Sequence, residues 1–269
     1  MRLIRTDESK EIVEFQAAPY PPYVALSHTW GKVGDEVTFQ EMTHCREEAV
    51  KKPGFAKIDQ CCKRAREDQF KYVWIDTCCI DKTSSAELSE AINSMYSWYQ
   101  GARICYAYLE DVPTASDVVS EFEEAPFDEK QQFQNSRWFT RGWTLQELIA
   151  PGIVEFYAAD WTEIGTKISL LNVLVAITGI DNGALAGQPL QSYTVAARLS
   201  WAGSRRTTRP EDRAYCLLGI FGVNMPMIYG EGDRAFLRLQ EEIMKGAEDY
   251  TISDFCAGCP SRTKNSGGR

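Results

Sequence analysis

The chain has 269 residues, 44% of them hydrophobic and 25% charged, which is the balance of an ordinary soluble globular protein. Its formal net charge of -9 argues against non-specific binding to nucleic acid or to an anionic membrane. No apolar run reaches membrane-spanning length and the first eight residues lack a signal-peptide core, so a cytoplasmic protein with nine reduced cysteines is expected.

In chain order, Tyr23-Val-Ala-Leu26 is a short apolar run that stops in Ser27-His-Thr-Trp-Gly31. Runs without alternation suit strands buried on both faces, as in parallel sheets. Phe55, Ile58, Cys62 and Ala65 then recur at helical spacing, and a second run, Tyr72-Val-Trp-Ile75, ends at Asp76-Thr-Cys-Cys79. Ser84-x-x-Glu87 reads as a capping box opening a helix whose inner face carries Leu88, Ile92, Met95 and Tyr99. A third strand, Ile104 to Leu109, leads into an acidic loop from about Asp111 to Asn135. Arg141-Gly-Trp-Thr-Leu-Gln-Glu-Leu148 reads as a short helix halted by Pro151-Gly152, and Ile153 to Tyr157 is a fourth strand.

After about Ile164 the rhythm changes. Leu170 to Ile177 reads equally as helix or strand. Thr208-x-x-Glu211 resembles another capping box, opening a helix with Ala214, Leu217, Leu218 and Phe221 inward. Ala235, Phe236, Leu239 and Ile243 mark a last helix, and residues 253–269 read as a disordered polar tail. Within it Cys256-x-x-Cys259 stands alone, with neither His28 nor His44 at zinc-ligand spacing, so no metal is expected.

Strand and helix alternate from Tyr23 to Tyr157, which predicts right-handed crossovers and a parallel sheet flanked by helices. Ligands of such sheets sit beyond the carboxyl ends of the strands, at the topological switch point. Ser27, His28, Asp76 and Asp81 are the polar residues placed there. Trp143 and Glu147 are four residues apart on one helix face, so the carboxylate is expected in a poorly hydrated, aromatic-walled position.

Four stretches together, Tyr23 to Gly31, Trp74 to Asp81, Arg141 to Leu148 and Arg213 to Gly219, resemble the fungal heterokaryon-incompatibility (HET) domain. Met225-Pro-Met-Ile-Tyr-Gly-Glu-Gly232 resembles the C-terminal part of that family, and the likeness runs from about Tyr23 to Ile252. It departs at Ser253, where Asp254-Phe-Cys-Ala-Gly follows in place of the usual Ser-Ile-Phe-Ala-Trp continuation, so an early end or an altered C-terminus is expected. The first half also has a more distant likeness to TIR domains, in which a flavodoxin-like sheet is joined to a helix carrying Trp-Cys-x-x-Glu-Leu. Trp143-Thr-Leu-Gln-Glu-Leu148 aligns with that helix, with Thr144 in the Cys position.

These resemblances imply a HET domain over residues 1–252, with a TIR-like α/β core at about 20–164 and a mostly helical C-terminal part at about 165–252. They imply a cell-death effector in fungal innate immunity, acting on self-association under an activating receptor protein. They also imply NAD or NADP as a substrate, with no resident cofactor, and Glu147 as the catalytic carboxylate. Cleaving the nicotinamide–ribose bond releases a neutral leaving group, so one carboxylate can suffice where ordinary glycoside hydrolysis needs a pair. Ser27, His28, Trp30, Asp76, Asp81 and Trp143 would then line the substrate site.

Two other readings stay open. His28 near Cys79, oriented by an aspartate, would be a nucleophilic arrangement. Alternatively, the domain is a non-enzymatic self-associating module, and Arg198, Arg205, Arg206, Arg209 and Arg213 are a basic stretch that docks an acidic loop or a nucleotide phosphate.

Overall fold

The computed structural model describes residues 1–114 and 127–246. The Cys256–Cys259 pair and the tail therefore lie outside the described residues, as does the middle of the acidic loop. One seven-stranded mixed sheet organises the molecule. Its strands are β1 (Arg2–Arg5), β2 (Ile12–Glu14), β3 (Val24–His28), β4 (Tyr72–Ile75), β5 (Ile104–Tyr108), β6 (Val154–Tyr157) and β7 (Glu163–Thr166). Across the sheet they run β2-β1-β4-β3-β5-β6-β7.

The centre, β4-β3-β5-β6, is parallel throughout. All five residues of β3 are buried, as a strand covered on both faces requires. Taken alone, the parallel strands stand in the order second, first, third, fourth, which begins the flavodoxin-like arrangement and puts its switch point between β3 and β5. The sequence reading had only these four strands. An N-terminal hairpin, β1 with β2, adds antiparallel to β4, and β7 adds antiparallel to β6.

The first crossover contains α1 (Phe39–His44), α2 (Arg46–Ala49) and α3 (Pro53–Glu67). Thr38 and Glu41 form a complete capping box on α1. Helix α3 buries Ile58, Cys62 and Ala65, three of its four predicted inward residues, with Phe55 half-buried. Next come α4 (Asp76–Cys79), a single turn, and α5 (Ser85–Gly101), which buries Ile92, Met95 and Tyr99. Ser84 caps α5, but the Glu87 carboxylate turns away to the Asp81 amide at 2.7 Å, so only half the expected box forms.

The expected acidic loop ends in a helix, α6 (Phe127–Gln134). A 3-10 turn, Arg137–Thr140, and α7 (Thr144–Ile149) complete the crossover into β6. Every residue of α7 is buried. The buried Lys167 ammonium donates to Leu148 O at 3.2 Å and Pro151 O at 2.5 Å, closing the carbonyl end of that helix.

The C-terminal part is helical: α8 (Leu171–Thr178), α9 (Asn182–Leu185), α10 (Val195–Ser200), α11 (Asp212–Tyr215), α12 (Leu218–Phe221) and α13 (Arg234–Gly246). The ambiguous stretch after Leu170 is thus a helix, ended by Gly179 in the left-handed region at φ 66°. The helix expected from Thr208 to Gly219 or Gly222 is broken into α11 and α12. Its predicted capping box does not form, because Glu211 Oε1 accepts from the Gly230 and Gly232 amides at 2.8 and 3.0 Å. That contact folds the irregular 224–232 link back onto α11. The predicted inward faces hold in the main: Ala214, Leu217 and Leu218 are buried in the middle of this part, and Ala235, Leu239 and Ile243 on α13, while Phe221 and Phe236 are half-buried.

Helix α12 packs on α5 so closely that a Cβ on Gly219 would stand 2.0 Å from Tyr96 Cβ. Gly219→Ala should therefore cost about 1–3 kcal/mol by overpacking. Urea denaturation would read this as a lower midpoint with an unchanged slope, and an unchanged midpoint would contradict the close approach.

Candidate functional site

Side chains alternate along a strand, so Ser27 and His28 at the end of β3 leave it on opposite faces. Ser27 joins the side covered by α5 and α7, and His28 the side covered by α3. The predicted residues therefore form two constellations rather than one cleft wall.

On the first side, the Ser27 hydroxyl donates to Glu147 Oε2 on α7. Trp138 Nε1 donates to Ser27 Oγ at 2.8 Å, and the Tyr99 hydroxyl donates to Leu26 O at 3.1 Å and is also hydrogen-bonded to Glu147. Glu147 is only 6% exposed. Burial pushes its carboxyl up to about 8, against the opposing pull of Ser27, Arg205 and Tyr99. The aromatic neighbourhood foreseen for this carboxyl exists, but Trp138 and Tyr99 supply it. Trp143 points elsewhere and hydrogen-bonds Asp212 in the helical part.

On the second side, the Lys57 ammonium lies 3.1 Å from His28 Nδ1 and pairs with Glu36. Lysine has only donors, so Nδ1 must accept and the imidazole proton sits on Nε2. That nitrogen lies 3.3 Å from Asp76 Oδ1, out of hydrogen-bond alignment. Trp30 Nε1 donates to Asp76 Oδ2 at 3.0 Å, and Lys82 Nζ sits 3.8 Å over the Trp30 ring. Burial alone would raise the Asp76 carboxyl, but Lys82, His28 and Trp30 hold it down at about 2. Burial likewise opposes ionisation of Glu36, whose carboxyl the facing His28 ring and the Lys57 ammonium nevertheless keep below its usual range.

Asp81 stands apart from both groups. Its Oδ1 accepts from the Thr83 amide and hydroxyl at 2.9 and 2.6 Å and from Gln40 at 2.5 Å, which holds the loop before α5. The Cys79 thiol accepts from the Ile75 amide at 3.4 Å, while the two nitrogens of His28 face Lys57 and Asp76. The expected Cys–His arrangement is therefore not assembled. Lys57, Lys82, Tyr99 and Trp138 belong to the two groups without having been singled out in the sequence. Tyr99 was visible only as a core position.

A cavity of about 320 Å³ opens at the carboxyl end of the sheet, lined in part by Gly31, Lys57, Tyr108, Glu110 and Trp161. Trp161 holds a left-handed backbone at φ 65° and stacks on Tyr108 with centroids 5.0 Å apart. Lys57 and Gly31 connect this cavity to the His28 group. Ser27 and Glu147 do not line it.

A mixed α/β sheet with a buried carboxyl beside its switch point defines the class of protein. The comparisons with known proteins narrow it. Residues 23–132 match the family model described as Heterokaryon incompatibility protein (HET). The chain is also 45% identical over 270 residues to Vegetative incompatibility protein HET-E-1 of Podospora anserina. That alignment covers 98% of this chain and 19% of the relative, so the chain spans about a fifth of the protein it matches. Both findings support the heterokaryon-incompatibility resemblance read from the motifs. No solved structure matches. Among the described residues no helix is long and apolar enough to cross a membrane, and no group of three or more His, Cys, Asp and Glu side chains is placed to hold a metal ion.

The raised Glu147 carboxyl has a consequence for stability. Below the usual carboxylate value of 4.5 it is protonated in folded and unfolded chains alike, so its contribution is fully present. As pH rises the unfolded chain ionises first, and the contribution is lost up to about 8. Glu147→Gln should remove a pH-dependent loss on the order of a few kcal/mol between those limits. Parallel stability–pH curves of the two proteins would read it, and identical slopes would show that the carboxyl is ionised in the fold.

Proposed function

We propose that this chain is an effector domain of heterokaryon incompatibility that cleaves the N-glycosidic bond of NAD or NADP once it self-associates, with Glu147 as the catalytic carboxylate. The observation that carries this reading is the meeting of Glu147 with Ser27 at the end of β3, beside the switch point of the parallel strands. In the reaction the bond between ribose C1′ and the pyridinium nitrogen breaks, and its electron pair neutralises the ring to free nicotinamide. Water oxygen bonds to C1′ and releases a proton. An ionised Glu147 would stabilise the positive charge that grows on the ribose, chiefly in the transition state.

A neutral carboxyl cannot do this. With Glu147 buried and its carboxyl pushed up to about 8, the fold reads as a resting form. Self-association, or an activating receptor protein, would supply the shift that hydrates and ionises it. The group of His28, Asp76 and Trp30 would then meet the rest of the nucleotide from the cavity side, with Trp30, 46% exposed, offering a stacking face. Trp143 and Asp81, engaged with Asp212 and with the Thr83 turn, position backbone in this reading rather than touch substrate. Cell killing and a cytoplasmic site of action go with the same proposal.

The enclosure of Glu147 favours a second reading, the non-enzymatic self-associating module. The basic stretch offers it only three exposed side chains, Arg206, Arg209 and Arg213. Arg198 turns inward to Ile220 O at 3.2 Å, and Arg205 to Arg141 O at 2.9 Å.

Incubating concentrated protein with NAD and measuring free nicotinamide decides between them. Glu147→Gln should lower turnover by about 100-fold or more while NAD binding survives. Cys79→Ser should leave the rate nearly unchanged. A folded Glu147→Gln protein that cleaves at the wild-type rate would end the glycosidic reading, and one that still kills fungal cells would favour the interaction module.

A further inference from the structure

Arginine carries five N–H donors and keeps its charge, so a buried guanidinium needs partners. Arg205 has them on one side only. Its Nη1 donates to Arg141 O at 2.9 Å and to Thr144 Oγ1 at 2.8 Å. Its Nη2 is buried and has no hydrogen-bond partner among the described residues. Beside it lies a cavity of about 190 Å³, lined in part by Gly142, Ala202, Gly203, Arg205, Arg213 and Phe236. In a chain of net charge -9, this is a buried cation facing a void.

We propose that this cavity is a binding site for a phosphate group, held by Arg205 with Arg213 at its mouth. Two guanidinium groups at one cavity match the charge and the several acceptor oxygens of a phosphate better than those of a carboxylate. Arg213 is free to contribute. Its side chain is 62% exposed, lies 5.8 Å over the Phe236 ring, and among the described residues makes one loose ion pair, to Asp233 at 3.6 Å, itself 85% exposed. The surroundings reinforce the sign of the field: among the described residues the Arg141 guanidinium donates to the Thr208 hydroxyl alone, at 3.3 Å, and Arg206 is exposed next to it. The approach is tight at Gly142, where a Cβ would stand 2.5 Å from Thr207 Cγ2 and 3.1 Å from Cys216 Sγ. The remaining lining is largely apolar and suits the organic part of a phosphoester. Neither Ser27 nor Glu147 lines this cavity, so the proposal does not depend on the glycosidic reading.

The test follows the melting temperature of the whole chain in inorganic phosphate, in adenosine monophosphate, and in sodium chloride or acetate at matched ionic strength. A saturable rise in phosphate or in the nucleotide, absent with chloride and acetate, is expected. A tighter response to the nucleotide identifies an ester as the source, and an equal response identifies free phosphate. Arg213→Gln should weaken apparent binding by about tenfold. Arg205→Met should abolish it, but that change also removes support from Arg141 and Thr144 and can unfold the chain. Ala202→Leu therefore serves as the second variant, filling the cavity while leaving Arg205 in place, and it should also abolish the response. No saturable effect in the wild type, an equal effect of acetate, or a full phosphate response in both Arg213→Gln and Ala202→Leu would overturn the proposal.

Discussion

A carboxyl group taken out of water either keeps its proton or finds a cation, and the packing of α7 depends on which. Around Glu147 burial works against the donors that face it. Trp138 gives its N–H to Ser27, Ser27 gives its O–H to Glu147, and Tyr99 gives its single O–H to the Leu26 carbonyl. The Tyr99 hydroxyl also reaches Glu147, and that contact, like the one from Ser27, favours the ionised carboxyl. Burial outweighs both, and the carboxyl keeps its proton up to about 8. Each link removed would strand a buried polar atom at about 1–3 kcal/mol. The network thereby fixes α7 against both β3 and α5, and its charge state is part of the fold.

The two-residue repeat of a strand explains why one sequence motif feeds two sites. Ser27 and His28 are neighbours in the chain, yet one belongs to the dry layer under α7 and the other to a charged network under α3. Asp76 is shared between them. Its negative charge is stabilised by Lys82, His28 and Trp30, and the same charge discourages ionisation of Glu147. Asp76 stays ionised because Lys82, His28 and Trp30 outweigh its burial, and Glu147 stays protonated up to about 8 because its burial outweighs Ser27, Arg205 and Tyr99. Environment alone separates them.

The parallel centre was legible because β3, β4 and β5 are buried on both faces and so begin as apolar runs, and β6 is apolar but for the half-buried Glu155. The edge strands were not. β1 and β2 are short and polar-flanked, and β7 is Glu-Ile-Gly-Thr, with one buried side chain among its four residues. Their strand character comes from pairing rather than from pattern. Ser27 and Glu147 were legible as residues, since a polar residue ending a buried strand and a carboxylate on a short apolar helix stand out locally. Their partners were not, because Tyr99 reaches Leu26 and Trp138 reaches Ser27 across 73 and 111 residues of chain. The same limit explains the broken helix at 212–221. Glu211 has the spacing of a capping residue, but the Gly230 and Gly232 amides offer it two bonds where the capping box offers one.

Arg205 links the helical part to this balance of charge. Through Nη1 it holds Thr144, the first residue of α7, and its charge favours ionisation of Glu147 one turn further on. Burial nonetheless decides the matter, and the carboxyl stays up at about 8. An anion seated on the free side of Arg205 would cancel part of that cation's field at Glu147. The carboxyl would then be held more firmly in its neutral form, and α7 more firmly in place. The reverse holds by reciprocity of coupled binding: whatever ionises Glu147 weakens the grip of Arg205 on an anion, because the new negative charge competes for the same guanidinium. A phosphate at Arg205 and a charged Glu147 would therefore be opposing states, and a ligand in that cavity would favour the resting form.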